Sequence, residues 1–280
     1  MASAVRSSRV GQRSVPLTWA LRLLVIGYLL MLVLWPTWFV VQHTFAHGLQ
    51  GIRTALADPD VQSSLALTAK ISVISVLINL VFGVGMSLLL VRYDFPCKRL
   101  LSAFIDLPLA VSPIVVGLAL VLVYNGRYGW FGPWLEAHGM QVIFAVPGMV
   151  MATCFVSLPL IIREVVPVLE EAGDDQEQAA RSLGANSWQA FWRVTLPGIR
   201  WAIVYGVVLS LARSLGEFGA VKVVAGNVSG QSQVATVLVQ QKYQNFEQET
   251  AYSVSFMLAF AAVLCLVVVA LLRPKTPKEN

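Results

Sequence analysis

Glu177-Gln178-Ala179-Ala180-Arg181-Ser182-Leu183-Gly184-Ala185-Asn186-Ser187-Trp188-Gln189-Ala190-Phe191-Trp192-Arg193-Val194-Thr195-Leu196-Pro197 is a polar, helix-prone island between two long apolar runs. Acidic residues crowd its approach: Glu170, Glu171, Asp174, Asp175 and Glu177. Acid at a helix start offsets the positive end and its unpaired N–H groups, so a short helix is expected to begin there. Gly184 suits a left-handed residue that ends this helix and reverses the chain. Asn186 or Ser187 then caps a second short helix carrying Trp188, Phe191 and Trp192, which Leu196-Pro197 stops. The expectation is a helix–turn–helix knob whose aromatic face needs a groove to fill.

Outward from the island, the chain reads as made for lipid. Of 280 residues, 57% are hydrophobic and 12% charged, against about 25% charged in soluble domains. Six stretches are long and apolar enough to span a bilayer as helices: about 19–42, 65–91, 100–124, 141–163, 201–225 and 251–272. The first exceeds a signal-peptide core of about 7–15 residues and reads as an uncleaved span. The fold class is therefore all-α membrane protein with six transmembrane helices. Basic residues alternate between segment ends. Arg6, Arg9 and Arg13, then Arg92, Lys98 and Arg99, then Arg163, Arg181, Arg193 and Arg200, then Arg273, Lys275 and Lys278 fall on one side. Arg53, Arg127 and Lys242 fall on the other. This positive-inside pattern places the island and both termini in the cytoplasm. It also argues against nucleic acid as a partner, since that surface gathers its cations on one soluble face.

Ionisable residues at membrane depth cost about 2.5–3.5 kcal/mol each and are functional candidates. Arg213 and Glu217 stand four apart in the fifth span, stacked on one face, with Gly216 and Gly219 on either side of Glu217. Either they lock that span to a neighbour, or Arg213 faces an aqueous path and attracts an anion while Glu217 orients it. Lys222 lies nearer the outer end and can snorkel. Asp106, bracketed by Pro108 and Pro113, either satisfies backbone N–H groups freed by the prolines or pairs with Arg213 or Lys222. Asn79, Gly83 and Gly85 read as helix-packing residues. Cys97, Cys154 and Cys265 have no evident oxidising-side partner, and His43 and His47, four apart, lack a third metal ligand. The sequence holds no Walker A motif, no nucleophile–base–orienter set and no His-Glu-x-x-His run. No catalytic, cofactor-binding or metal residues are therefore expected, and ATP, if it powers this protein, binds elsewhere.

The island resembles the loop by which ABC-importer permeases grip their ATPase: Glu-Ala-Ala, three residues, Gly, nine residues, Ile-x-Leu-Pro. The matching positions are Gln178-Ala179-Ala180, Gly184 and Val194-Thr195-Leu196-Pro197, with Gln178 where the family has glutamate and Glu177 one residue earlier. Further segments are similar to sulfate/thiosulfate permeases of the W type. They are Gly132-Pro133-Trp134-Leu135, Phe144-Ala145-Val146-Pro147-Gly148, Ala212-Arg213-Ser214-Leu215-Gly216-Glu217-Phe218-Gly219-Ala220-Val221 and Val223-Val224-Ala225-Gly226. The resemblance implies a type I ABC importer permease in a bacterial plasma membrane, importing sulfate or thiosulfate. Implied partners are a CysT-like second permease, an ATP-binding subunit dimer carrying ATP and Mg, an extracytoplasmic sulfate-binding protein, and lipid. It implies ATPase coupling through Glu177, Gln178, Ala179, Ala180, Gly184, Ala185, Trp188, Leu196 and Pro197, and a path near Arg213, Glu217, Lys222 and Asp106. The chain then divides into a cytoplasmic segment 1–18, a first helix and external loop 19–60, a permease domain 61–272 holding the loop at about 164–200, and a tail 273–280. Molybdate or tungstate permeases share much of this vocabulary. An ion-gradient-driven transporter or channel is the alternative of another class.

Overall fold

The structure is a computed structural model that describes residues 15–272. Arg6, Arg9, Arg13, Arg273, Lys275 and Lys278 lie outside the described residues. Helix α1 (Val15–Leu29), a π-helical turn (Leu30–Leu34) and α2 (Trp35–Thr44) form one apolar rod. The π turn falls just before Pro36, whose missing N–H and ring disturb a regular α ladder. Almost none of this rod is buried; it leans on the rest through Phe39 and His43 against Tyr252. His47 lies past the end of α2 and meets Glu249 at 3.5 Å, so the two histidines part.

After α3 (Gln50–Ala57), Asp58 caps α4 (Pro59–Arg92) by accepting the Asp60 N–H at 2.9 Å, with Pro59 in the first turn. At 34 residues, α4 is about 51 Å long and overshoots a hydrocarbon core of about 30 Å. Helix α5 (Lys98–Ala110) meets α6 (Pro113–Tyr124) at 109°, so the span expected over 100–124 is two half-helices. The break falls at Ser112, held extended (ψ 132°) as the residue before a proline must be, while Pro108 sits inside α5 without ending it.

The connection after α6 carries α7 (Gly132–Ala137), and α8 (Val146–Ala172) follows it. After α9 (Asp175–Ser182), α10 (Ser187–Ala190), a π turn (Phe191–Thr195) and α11 (Leu196–Leu215) run as one rod, Ser187–Leu215. Leu196-Pro197 is therefore not the stop that the sequence suggested. Pro197 occupies the first turn of α11, where no N–H is needed, and the π turn absorbs the change of register. The fifth span ends at Leu215 rather than near 225. A break at 216–218 separates it from α12 (Gly219–Val224), followed by α13 (Ala235–Gln244) and α14 (Gln248–Leu272). Among the described residues, five helices are long and apolar enough to cross a membrane, and the bent α5/α6 pair makes a sixth.

The centre is α4 against α8 and α8 against α11. In lipid, close approach and polar cross-links hold helices together, because hydrocarbon solvates Leu as well as protein does. Asn79 donates to Cys154 O (3.1 Å) and Ser157 Oγ (2.9 Å), and Ser75 Oγ donates to Val150 O. A methyl at Gly206 would sit 2.9 Å from Ile161 Cα, and one at Gly83 would sit 2.9 Å from the Ile161 side chain. Gly85 faces open space instead and is no packing residue in this chain. Asn79→Leu, which deletes both cross-links, is expected to cost about 1 kcal/mol, seen as a lower unfolding midpoint in detergent. An unchanged midpoint would show that α4 is held to α8 by shape alone.

Candidate functional site

The knob forms at the end of α8. Glu170 and Glu171 sit in the last turn of α8, not at the start of the short helix as the sequence suggested. Gly173 (φ +61°) ends α8, and Asp174 precedes α9, whose first turn holds Asp175 and Glu177 on the positive helix end. Gly184 adopts φ +90° and donates to Arg181 O, while Ala185 N–H reaches Ala180 O, closing the helix end. Of the two capping candidates, Asn186 does the work. Its side chain accepts Gln189 N–H at 2.8 Å, and the Gln189 side chain accepts Asn186 N–H at 3.0 Å. This box leaves a cluster of large apolar side chains in the open: Leu183 at 89%, Trp188 at 69% and Trp192 at 50% exposure. Trp188 and Trp192 pack edge to face at 5.5 Å. Exposed apolar side chains on a polar knob make this a candidate contact surface for another protein.

Glu177 does not belong to that exposed surface. Its Oε1 accepts from Arg92 Nε (3.1 Å), Arg92 Nη2 (3.0 Å) and Thr195 Oγ1 (2.9 Å). Arg92 also donates to Leu169 O at 3.2 Å and to Gly173 O at 2.7 Å. One guanidinium thus ties the C-terminal end of α4 to the end of α8, to α9 and to the π turn that feeds α11. Both charged side chains are largely buried. Gln178 faces outward with its amide donating to Asp174 Oδ2 at 2.7 Å, and Ala179, Trp188 and Pro197 are also exposed. Ala180, Ala185 and Leu196 are half-buried. Sequence reading missed Arg92 and Thr195 as parts of this site; Arg92 stood out only as an inner-side cation, 85 residues from its partner.

The path candidates fall into separate groups. Arg213 Nη1 lies 2.7 Å from Glu217 Oε2, while Glu217 Oε1 accepts Ala220 N–H at 2.9 Å. Glu217 is buried and its own carbonyl accepts from Thr236 Oγ1 at 2.9 Å, so it closes the break between α11 and α12. That break meets the break in the third span. A methyl at Gly117 would fall 2.8 Å from Ala220 O, and one at Gly219 would fall 3.1 Å from Pro113. Lys222 donates to Gln240 Oε1 at 2.7 Å and stands over the Phe218 ring at 5.1 Å, so it is held by protein. Asp106 reaches neither Arg213 nor Lys222 and caps no backbone. It pairs with Arg163 at 3.1 Å. The sequence put Arg163 at the inner end of the span 141–163, but α8 runs on to Ala172 and leaves Arg163 nine residues before its end.

Apolar spans, two of them broken, and a capped polar knob with exposed aromatic side chains define a multi-pass membrane protein. The chain belongs to the family described as binding-protein-dependent transport system inner membrane component, whose profile matches residues 79–275. It is similar to a sulfate transport system permease protein CysW from Synechocystis sp., with 44% identity covering 94% of this chain and 96% of the relative. A sulfate transport system permease protein CysT from Escherichia coli is 37% identical over 75% of this chain and 76% of its own length. The fold is also that of a chain in a bacterial alginate ABC transporter solved in complex with an alginate pentasaccharide-bound periplasmic protein. There the TM-score is 0.76 at 17% identity, covering 90% of this chain and 92% of that one.

Proposed function

We propose that this chain is the W-type permease of an ATP-driven sulfate or thiosulfate importer. It would form half of the pathway, opposite a CysT-like permease, with both termini in the cytoplasm. The observation that carries the coupling role is the knob: Leu183, Trp188 and Trp192 exposed on a capped turn that Arg92 and Glu177 fasten to the spans. A knob so fastened turns subunit rotation into helix movement. The groove it fills would belong to an ATP-binding subunit dimer, which supplies ATP and Mg, and a sulfate-binding protein would deliver substrate from outside. Arg213, Glu217, Lys222 and Asp106 would line or support the path. The likeness to CysW over nearly the whole chain favours sulfate over molybdate or tungstate. Uptake of radiolabelled sulfate by a strain lacking this chain tests the choice: normal sulfate uptake with lost molybdate transport would overturn it.

Gln178 faces outward, where the family loop has a carboxylate. Gln178→Glu, made together with Asp174→Asn so that no carboxylate faces the new one, is expected to replace a neutral contact to the ATPase by a charge-assisted one, a gain of about 1 kcal/mol or roughly fivefold in affinity. Retention of the ATPase through washes of rising salt reads it. Equal or weaker retention would show that no cation of the ATPase faces position 178.

A further inference from the structure

Arg163 and Asp106 form an ion pair within two of the apolar spans, α8 and the bent α5/α6 pair. Nε of Arg163 lies 3.1 Å from Oδ1 of Asp106, and their side chains keep 57% and 48% exposure. Asp106 lies eight residues into α5, about 12 Å along its axis. Ser157 and Ser214, 3.4 Å apart, fix the register of α8 on α11. Arg213 therefore stands near the level of Ser157, and Arg163, six residues further along α8, lies about 9 Å nearer the inner side. A charge exposed to hydrocarbon costs about 2.5–3.5 kcal/mol, so the pair is expected to face water or protein. On the inner half of α8, Arg163, Pro167 and Glu170 make an exposed stripe, whereas Ile161, Ile162, Val165 and Leu169 are buried. Four residues past Asp106, α5 ends, and the chain soon turns aside into α6 by 109°.

The two inner arginines differ in what they leave free. Arg92 uses Nε, Nη1 and Nη2 on protein acceptors. Among the described residues, Arg163 contacts Asp106 through Nε alone, which leaves its Nη1/Nη2 edge for a two-pronged contact with an oxyanion. We infer that Arg163 is a second oxyanion station of the pathway, inward of Arg213, and that Asp106 is a tethered carboxylate which holds the guanidinium between passages and yields it to a tetrahedral dianion. This rests on the permease reading above. A half-exposed ion pair is worth only about 0–1 kcal/mol, so the exchange is easy. Transport needs binding weak enough to leave, and a carboxylate that competes for the same guanidinium keeps the station weak. Asp106 supplies that weakening.

The test is sulfate uptake and ATP hydrolysis by the whole complex in proteoliposomes. Arg163→Gln is expected to lower uptake at saturating sulfate at least tenfold while the ATPase subunits stay bound and hydrolyse ATP. Asp106→Asn is expected to act the other way on binding, with the KM for sulfate falling severalfold and maximal uptake falling with it. Should Arg163→Gln fail to assemble, Arg163→Lys, which keeps the charge but not the two-pronged edge, is expected to raise KM. Wild-type KM and maximal uptake in the Asp106→Asn and assembled Arg163 variants would overturn the station. So would loss of assembly in both Asp106→Asn and Arg163→Lys, which would make the pair a contact between permeases. Wild-type complexes that hydrolyse ATP but import no sulfate would overturn the permease reading itself, and the station with it.

Discussion

Arg92→Gln is expected to leave the ATPase bound and hydrolysing while sulfate uptake falls at least tenfold. The reason is geometric. The exposed apolar cluster of Leu183, Trp188 and Trp192 contains neither Arg92 nor Glu177, so the docking surface survives the change. What goes is the four-bond tie from α4 to Glu177, Leu169 and Gly173. Breaking a largely buried pair from one side costs about 3 kcal/mol, because the abandoned carboxylate stays desolvated. That is enough to let the knob shift against α4 and α8 when the ATPase moves. The measurement is the ratio of sulfate imported to ATP hydrolysed. Glu177→Gln should change this ratio in the same direction, and the double variant should cost little more than either single one, since both break the same contact. An unchanged ratio in all three would mean that α4 takes no share in force transfer.

Gly184→Val is expected to weaken ATPase docking and abolish coupled uptake while leaving insertion intact. At φ +90° a β-branched residue is strained by the backbone itself, at a cost of at least about 1–2 kcal/mol. No atom lies within 4 Å of where the new Cβ would stand, so a clash does not confuse the result. The short turn relieves the strain by rotating, and that changes how α9 with Leu183 is set against α10 with Trp188. Gly184→Asn is the control. Asparagine tolerates the left-handed region, and most of the coupling should survive. Equal uptake by glycine and valine would mean that the angle between α9 and the α10–α11 rod is irrelevant.

Several of these features can be read from the chain alone because they are local. A left-handed glycine, an Asn–Gln capping box and acid at a helix start each act within four residues, and the knob at 174–190 formed largely as its spacing suggests. Leu196-Pro197 misled for a related reason: proline forbids a helix interior but suits a first turn, and only the π register before it decides between the two. Glu170 and Glu171 misled because acid is unfavourable at a helix end, yet α8 continues through them to Gly173.

The partners of the charged groups lay beyond reach. Arg92 and Glu177 are 85 residues apart, and Asp106 and Arg163 are 57 apart. No periodicity links such pairs, since each depends on how far two helices slide along a third. By itself the sequence determined the number of spans, their inner and outer ends as an expectation from charge, and the knob, because hydropathy, cation placement and turn chemistry are properties of short segments. Only the tertiary structure decided that the third and fifth spans break and meet through Gly117 and Gly219, that Glu177 faces inward, and that Arg163 stands exposed. Close backbone approach and ion pairing are set by the distance and register between helices, which exist only once the helices have packed.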